Sequence, residues 1–276
     1  MAAATERAVK PSTTAGRHCG SGGPSAAPAA AGAARGRGAG TGAVRTNVTA
    51  VRGDRRFSAR PWGRTPSMAT IGLIGSGNIG QAIARQAVAH GHHVVLSNSR
   101  GPETLADLVS ALGPLASAAT AAEAGASGDL VVVTVPFKNH TRIPAEPLGG
   151  KTVIDTNNYY FERDGHFPDI DSGQATVSGM LAAHLPDSKV VKAFNNIAAP
   201  AIAEDAAPAG TPGRRALPIA GDDAEAKKTV AALIEEFGFD VVDVGPLVEG
   251  RRFDRDKPAY GPRLTADQLR EALAQG

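Results

Sequence analysis

The chain contains a single cysteine, Cys19, close to its amino terminus. Residues 68–276 therefore have no disulfide, no thiolate nucleophile and no cysteine metal ligand. Aromatic residues are scarce too, at 4% against 42% hydrophobic residues overall. Any core must then be made of Val, Ile, Leu and Ala, a composition suited to a parallel sheet buried on both faces. No apolar run reaches the roughly 18 residues of a membrane-spanning helix. No apolar stretch near Met1 has the form of a secretory signal. The histidines lack metal-ligand spacing, so no metal is expected. The default expectation is a soluble, cytoplasmic protein.

The formal net charge of +2 hides a split along the chain. Residues 1–67 hold eleven of the 29 Lys and Arg but only Glu6 and Asp54 of the 27 acids, which makes them +9 and leaves residues 68–276 at −7. The basic character belongs to a leader, and neither a nucleic-acid nor a membrane partner follows for the acidic remainder. Residues 1–67 are mostly Ala, Gly, Pro, Ser and Arg. They have too few large apolar side chains to offset chain entropy, so the expectation is a disordered leader. Three readings of it stay open: an Arg-rich transit peptide, a basic tail for anionic partners, or sequence upstream of the native start. Met68 stands two residues before the first strand.

From Thr70 onward strand and helix patterns alternate. Ile71–Ile74 is a short apolar run that ends in glycine. Asn78–His90 places Ile79, Ala82, Ile83 and Ala87 on one helical face, with Gly91 as its cap. Val94–Leu96 reads as a second strand. Pro102 opens a helix whose Leu105, Leu108, Val109 and Leu112 share a face, closed by Gly113. Thr120 and Glu123 have the spacing of a capping box. Strands are expected at 130–135, 152–155, 189–194, 216–220 and 239–244. A helix capped by Asp222 or Asp223 precedes the last of them and presents Val230, Leu233, Ile234 and Phe237 to the core. This alternation predicts an α/β fold, a doubly wound parallel sheet of the Rossmann type, over residues 68–247. Residues 248–276 read as a carboxyl-terminal extension, a polar loop at 249–263 followed by a helix at 264–274.

Gly75-Ser76-Gly77-Asn78-Ile79-Gly80 fits G-x-G-x-x-G, and it follows a strand and opens a helix, the context in which that pattern binds a dinucleotide. Gly75 allows the tight turn, Gly77 lets a pyrophosphate approach the backbone, and Gly80 lets helix and strand pack closely. The helix amino terminus supplies free N–H groups and a positive dipole. An NAD site usually carries an acid at the end of the next strand, to bond the ribose hydroxyls. Here that strand ends Ser97-Asn98-Ser99-Arg100. Asn98, Ser99 and Arg100 would accept a 2′-phosphate, which points to NADP(H).

Ligands of open α/β sheets sit beyond the carboxyl ends of the strands. Those ends read Val135-Pro136-Phe137, Asp155-Thr156-Asn157-Asn158 and Ala193-Phe194-Asn195-Asn196, with Leu247 after the last strand. Asn side chains suit the amide of a nicotinamide, and Pro136, Phe137 and Leu247 a flat second ring. Each Asn taken singly is equally a turn residue. Lys192, inside an apolar strand, requires a partner, either a phosphate or Asp155.

These motifs resemble the NADP oxidoreductases that use coenzyme F420, a 5-deazaflavin, over most of residues 69–247. The resemblance is carried by residues 71–80, Ser97–Arg100, Val135-Pro136, Val153–Asn158 and Val190–Asn195. The last of these is also similar to the NADPH-binding domain of membrane metalloreductases. The resemblance implies hydride transfer between NADPH and a deazaflavin or flavin. It implies Ser76, Asn78 and Ile79 at the pyrophosphate, Ser99 and Arg100 at the 2′-phosphate, and Pro136 and Asn195 near the two rings, with Leu247 beyond them. The cofactor-binding set is thus Gly75–Gly80, Asn98–Arg100, Val135, Pro136, Ala193 and Asn195. The ring-positioning candidates are Pro136, Asn157, Asn195 and Leu247. Where archaeal deazaflavin enzymes have a His-Thr-Ile-Pro-like run, this chain has Asn195-Asn196-Ile197-Ala198, so the resemblance reaches further for NADPH than for the acceptor.

Hydride transfer between two held rings depends on proximity and orientation, so no acid–base triad is required. Two other functions stay open: a small-substrate NADP-dependent dehydrogenase or imine reductase, and a non-catalytic NADPH-sensing module. The first would normally add a helical substrate domain. A homodimer would cover the acceptor side that a lone Rossmann domain leaves open.

Overall fold

The computed structural model describes residues 68–276. The expected leader, residues 1–67 with Cys19, lies outside the described residues. The strands are β1 (Thr70–Ile74), β2 (His93–Ser97), β3 (Ala116–Ala118), β4 (Leu130–Val133), β5 (Thr152–Asp155), β6 (Lys189–Lys192), β7 (Ala216–Gly221) and β8 (Asp240–Asp243). They lie in the order β3-β2-β1-β4-β5-β6-β7-β8. The helices are α1 (Asn78–Ala89), α2 (Ala106–Leu112), α3 (Ala121–Ser127), α4 (Phe161–Asp164), α5 (Pro168–Asp171), α6 (Val177–His184), α7 (Ala201–Glu204), α8 (Ala224–Glu236) and α9 (Ala266–Ala274). Strands β1 to β6 pair in parallel. The reversal of strand order between β1 and β4 makes the crevice of a doubly wound fold.

The apolar strands are explained by burial on both faces. Along β4, Val132 packs with Ile71, Leu73, Ile83 and Ala87 on one face, while Val131 and Val133 pack with Ile74, Val153, Leu181 and Leu185 on the other. A period of two side chains fills both layers. The helix starts follow their caps. Thr120 and Glu123 form the expected capping box on α3, and the Thr120 N–H and hydroxyl hold the Glu123 carboxyl below its ordinary range. Asp223 rather than Asp222 caps α8, accepting from the Ala226 N–H at 2.8 Å. Asp222 instead takes the Leu247 N–H at 2.9 Å.

Three features depart from the sequence pattern. Strand β3 is three small residues, Ala-Ser-Ala, with no hydrophobic signature. Strand β7 runs antiparallel to β6, and only Val191↔Gly221 and Lys192↔Ala220 pair. A parallel return needs a long crossover, and between β6 and β7 the chain forms only the four-residue α7. Because the two pairs join the last residues of each strand, Ala216–Ile219 run past the carboxyl end of β6. Finally, β6 stops at Lys192 instead of Phe194. Phe194 has φ +59°, a left-handed conformation costly for a bulky residue, and this turn drives its ring into the core beside Phe237.

The carboxyl-terminal residues do not trail away. A 3-10 helix covers Leu247–Phe253. Phe253, Ala259, Leu269 and Leu273 share a third cluster with Ala216, Ala220 and Val242.

Candidate active site

The glycine loop turns between β1 and α1 at the centre of the sheet. Gly75 has φ +110°, and a Cβ there would lie 2.5 Å from the Thr134 carbonyl oxygen. The Thr134 hydroxyl donates to the Gly75 carbonyl at 2.8 Å, so β4 and the loop are locked together. Gly77 differs: a Cβ there would meet nothing within 4 Å. The structure itself makes no demand for glycine at 77, and the space above it is open. Gly77 precedes the 12-residue α1, and no side chain caps that helix. Its first N–H groups are therefore open to a ligand's acceptors.

The end of β2 stands beside this loop. Gly75 N–H and the Ser76 hydroxyl both donate to the Ser97 carbonyl, at 3.1 and 2.7 Å. The Asn98 side chain shapes the following turn: its Oδ1 accepts from Arg100 N–H at 2.9 Å, and its Nδ2 donates to the Thr104 hydroxyl at 2.8 Å. Ser99 and the Arg100 side chain are left exposed. A cavity of about 460 Å³ opens here. It collects Gly75, Ser76 and Gly77, then Asn98, Ser99 and Arg100, then Val135 and Pro136, from the ends of β1, β2 and β4. Asn78, exposed, and Gly80, buried, belong to the same loop and first helical turn, with Ile79 between them.

The remaining sequence candidates lie elsewhere. Asn157 and Asn195 are 3% and 4% exposed, and Ala193 and Leu247 are buried as well. None of the four is among the residues lining this cavity. Four residues with no sequence signal do line it: Ala121, Asn139, Arg142 and Ile143. His140 is turned inward, stacked on Phe137 with ring centroids 4.7 Å apart.

The ends of β5 and β6 are closed by residues 253–262 of the same chain. Asn158 and Asn195 bridge the two strands, with Asn158 Nδ2 donating to the Asn195 carbonyl at 2.8 Å and Asn195 Nδ2 to Asn158 Oδ1 at 3.2 Å. Asn195 Nδ2 also donates to the Phe253 carbonyl at 2.9 Å, and Asn196 Nδ2 to that of Ala259 at 3.2 Å. Lys192, fully buried, pairs with Asp254. It neighbours Asp155, its register partner across β5 and β6. Burial pushes the Asp155 carboxyl up, and the Lys192 charge pulls it the other way. At the rim, Arg255 holds Glu162 through two hydrogen bonds of 2.8 and 3.0 Å and lies over the Tyr160 ring. The Tyr160 and Tyr260 hydroxyls meet at 2.5 Å. The chain thus covers the ends of β5 and β6 with its own residues.

Among the described residues, Asp155 Oδ2, Asn195 Oδ1 and Asn196 Oδ1 are buried at this closed end with no hydrogen-bond partner, and the Asn157 side chain has none at either polar atom, Oδ1 or Nδ2. Its backbone N–H is held by Asp155 Oδ1 at 2.9 Å. Among the described residues, no group of three His, Cys, Asp or Glu is arranged to hold a metal, and no helix is long and apolar enough to cross a membrane.

Residues 70–159, which span β1 to β5 and every cavity element described above, match the family model of the coenzyme F420-dependent NADP oxidoreductases. The fold is of the Rossmann type, with the cavity at its dinucleotide loop. Metalloreductase STEAP3 of Rattus norvegicus is 32% identical over 188 residues, covering 67% of this chain and 35% of that protein. The chain thus spans about a third of the length of the curated relatives it matches. Among solved structures, the hypothetical protein SMa0349 of Sinorhizobium meliloti is 31% identical with a TM-score of 0.62, over 73% of this chain and 97% of that one. A protein of Arthrobacter sp. FB24 named as an F420-dependent NADP-reductase is 26% identical with a TM-score of 0.58, over 66% of this chain and 87% of that one.

Proposed function

We propose that the chain binds NADPH in the cavity at the ends of β1, β2 and β4 and exchanges a hydride with a flat-ring acceptor, a deazaflavin such as coenzyme F420 or a flavin. The observation that carries this reading is the end of β2, where Asn98, Ser99 and Arg100 line the cavity and no carboxylate stands among them. A carboxylate there would repel a 2′-phosphate, whereas a guanidinium binds it through charge-assisted bonds. The open space over Gly77 and the uncapped start of α1 suit the pyrophosphate. Val135 and Pro136 form the cavity's apolar wall towards the ring end. The NADP(H) nicotinamide supplies the hydride chemistry. The chain's own residues orient it and keep water away. Asn157, Asn195, Ala193 and Leu247 are buried away from this cavity, so the ring end is assigned to Val135 and Pro136.

Titration with NADPH and NADH tests the first half. NADPH is expected to bind at least about tenfold tighter, and Arg100→Ala to remove most of the preference; an unchanged preference in the variant rejects the assignment. An acceptor panel of coenzyme F420, FMN, FAD and a ferric chelate tests the second half. The chelate is included because of the metalloreductase name of the curated relatives. Oxidation of NADPH by a deazaflavin or flavin is the expected result. Turnover of imines or small hydroxy acids alone would favour a small-substrate dehydrogenase, and tight NADPH binding without turnover a sensing module.

A further inference from the structure

We propose that Arg142 is a second specificity-determining cation, binding the 2′-phosphate together with Arg100. The inference rests on the NADPH reading above and deepens it. Arg142 ends the 3-10 helix Phe137–Arg142 that follows β4, and Arg100 follows β2. Both line the same cavity. Since β1 lies between β2 and β4 in the sheet, the two arginines enter from opposite sides of the glycine loop.

The charge of the cavity supports a dianionic ligand. Its described lining holds two guanidiniums and no Asp or Glu. Among the described residues neither arginine has a carboxylate within ion-pair distance, although many other surface cations do, such as Arg255 with Glu162 and Lys227 with Asp243. The negative charge of a bound pyrophosphate is met by the α1 amino terminus and the loop N–H groups. The remaining unmatched anion of NADPH is the 2′-phosphate, a monoester with close to two negative charges at neutral pH, which suits two guanidinium forks.

Arg142 is also held in place before any ligand arrives. Phe137 is fully buried, His140 is 5% exposed and stacked upon it, and Ile143 is 4% exposed. Ile143 N–H donates to the His140 carbonyl at 3.3 Å, and the His184 ring bonds the Ile143 carbonyl at 2.8 Å. The backbone on both sides of Arg142 is anchored while the side chain itself is exposed, so binding has only that side chain to order.

The test uses the full chain and four probes: NADPH, NADH, adenosine 2′,5′-bisphosphate and adenosine 5′-monophosphate. Affinities are measured by calorimetry for the wild type, Arg142→Gln and Arg142→Lys. Arg142→Gln is expected to weaken NADPH and the 2′,5′-bisphosphate by about tenfold or more, to leave NADH and the monophosphate within about twofold, and Arg142→Lys to recover part of the loss. Unchanged NADPH affinity in Arg142→Gln overturns the proposal, provided the wild type prefers NADPH. An equal loss for NADPH and NADH also overturns it, because the contact would then be to a part both share. A wild type with no preference for NADPH overturns the NADPH reading itself.

Discussion

The two ends of the sheet's crevice are built on opposite terms. Over β1, β2 and β4 the chain leaves backbone N–H groups, a glycine with empty space above it and two exposed arginines. Over β5 and β6 it brings back its own residues 253–262 and uses the polar side chains on internal partners, Lys192 with Asp254 and Asn195 with Phe253. The open end is made where the glycine loop meets the ends of β2 and β4, 21 and 59 positions away. The closed end is made by contacts between residues 37 to 100 positions apart. Polar groups therefore point to ligands where they are exposed, at one end, and to fold stability where they are buried, at the other, although both ends are rich in the same Asn and Arg side chains.

The sharpest way to break this comparison is at Lys192. Lys192→Met removes the counter-charge of Asp254 and of the fully buried Asp155, so stability in denaturant titration should fall by about 3–5 kcal/mol, with NADPH affinity below the melting temperature nearly unchanged. A loss under about 1 kcal/mol would mean that this end is not closed. The glycine loop gives the converse pair. Gly75→Val, with its positive φ and its Cβ against Thr134, should cost about 1–3 kcal/mol in stability. Gly77→Val should melt within about 0.5 kcal/mol of the wild type yet lose at least about tenfold in NADPH affinity.

Smaller effects are expected at the opposite end of β6, beside Lys189, and at the rim of the closed end. Asp223→Ala removes the α8 cap and should cost about 1 kcal/mol near neutral pH. The Ala226 N–H bond holds the folded Asp223 carboxyl below its ordinary range. Its contribution is thus present above the unfolded value of about 3.9 and is lost as pH falls through the lower folded value. The difference between wild type and variant should accordingly shrink below about pH 4, measured by urea denaturation along a pH series. Arg255→Ala, at the solvent-facing rim, should lower the melting temperature least of these variants, and less still at high salt.

The open end was largely legible in the residues. G-x-G-x-x-G, the strand before it and the acid-free end of β2 are adjacent in the chain, and backbone sterics and charge act over that same short range. Arg142 was not legible, because nothing in Phe-Lys-Asn-His-Thr-Arg marks which side chain a 3-10 helix turns outwards. The burial of Asn195 was hidden for a related reason: its partner carbonyls belong to residues 158 and 253. Strand β3 escaped because Ala-Ser-Ala has no period to read. The antiparallel β7 escaped because an apolar run is the same in either direction.

By itself the sequence determined the alternation of strands and helices, the place of the dinucleotide loop and the sign of charge beside it, since each depends on neighbours a few residues apart. Only the tertiary structure decided the direction of β7, the partners of Lys192 and the closure of β5 and β6 by residues 253–262. Those depend on which distant surfaces meet, and a buried charge or carboxamide takes its partner from whatever segment the packing brings to it.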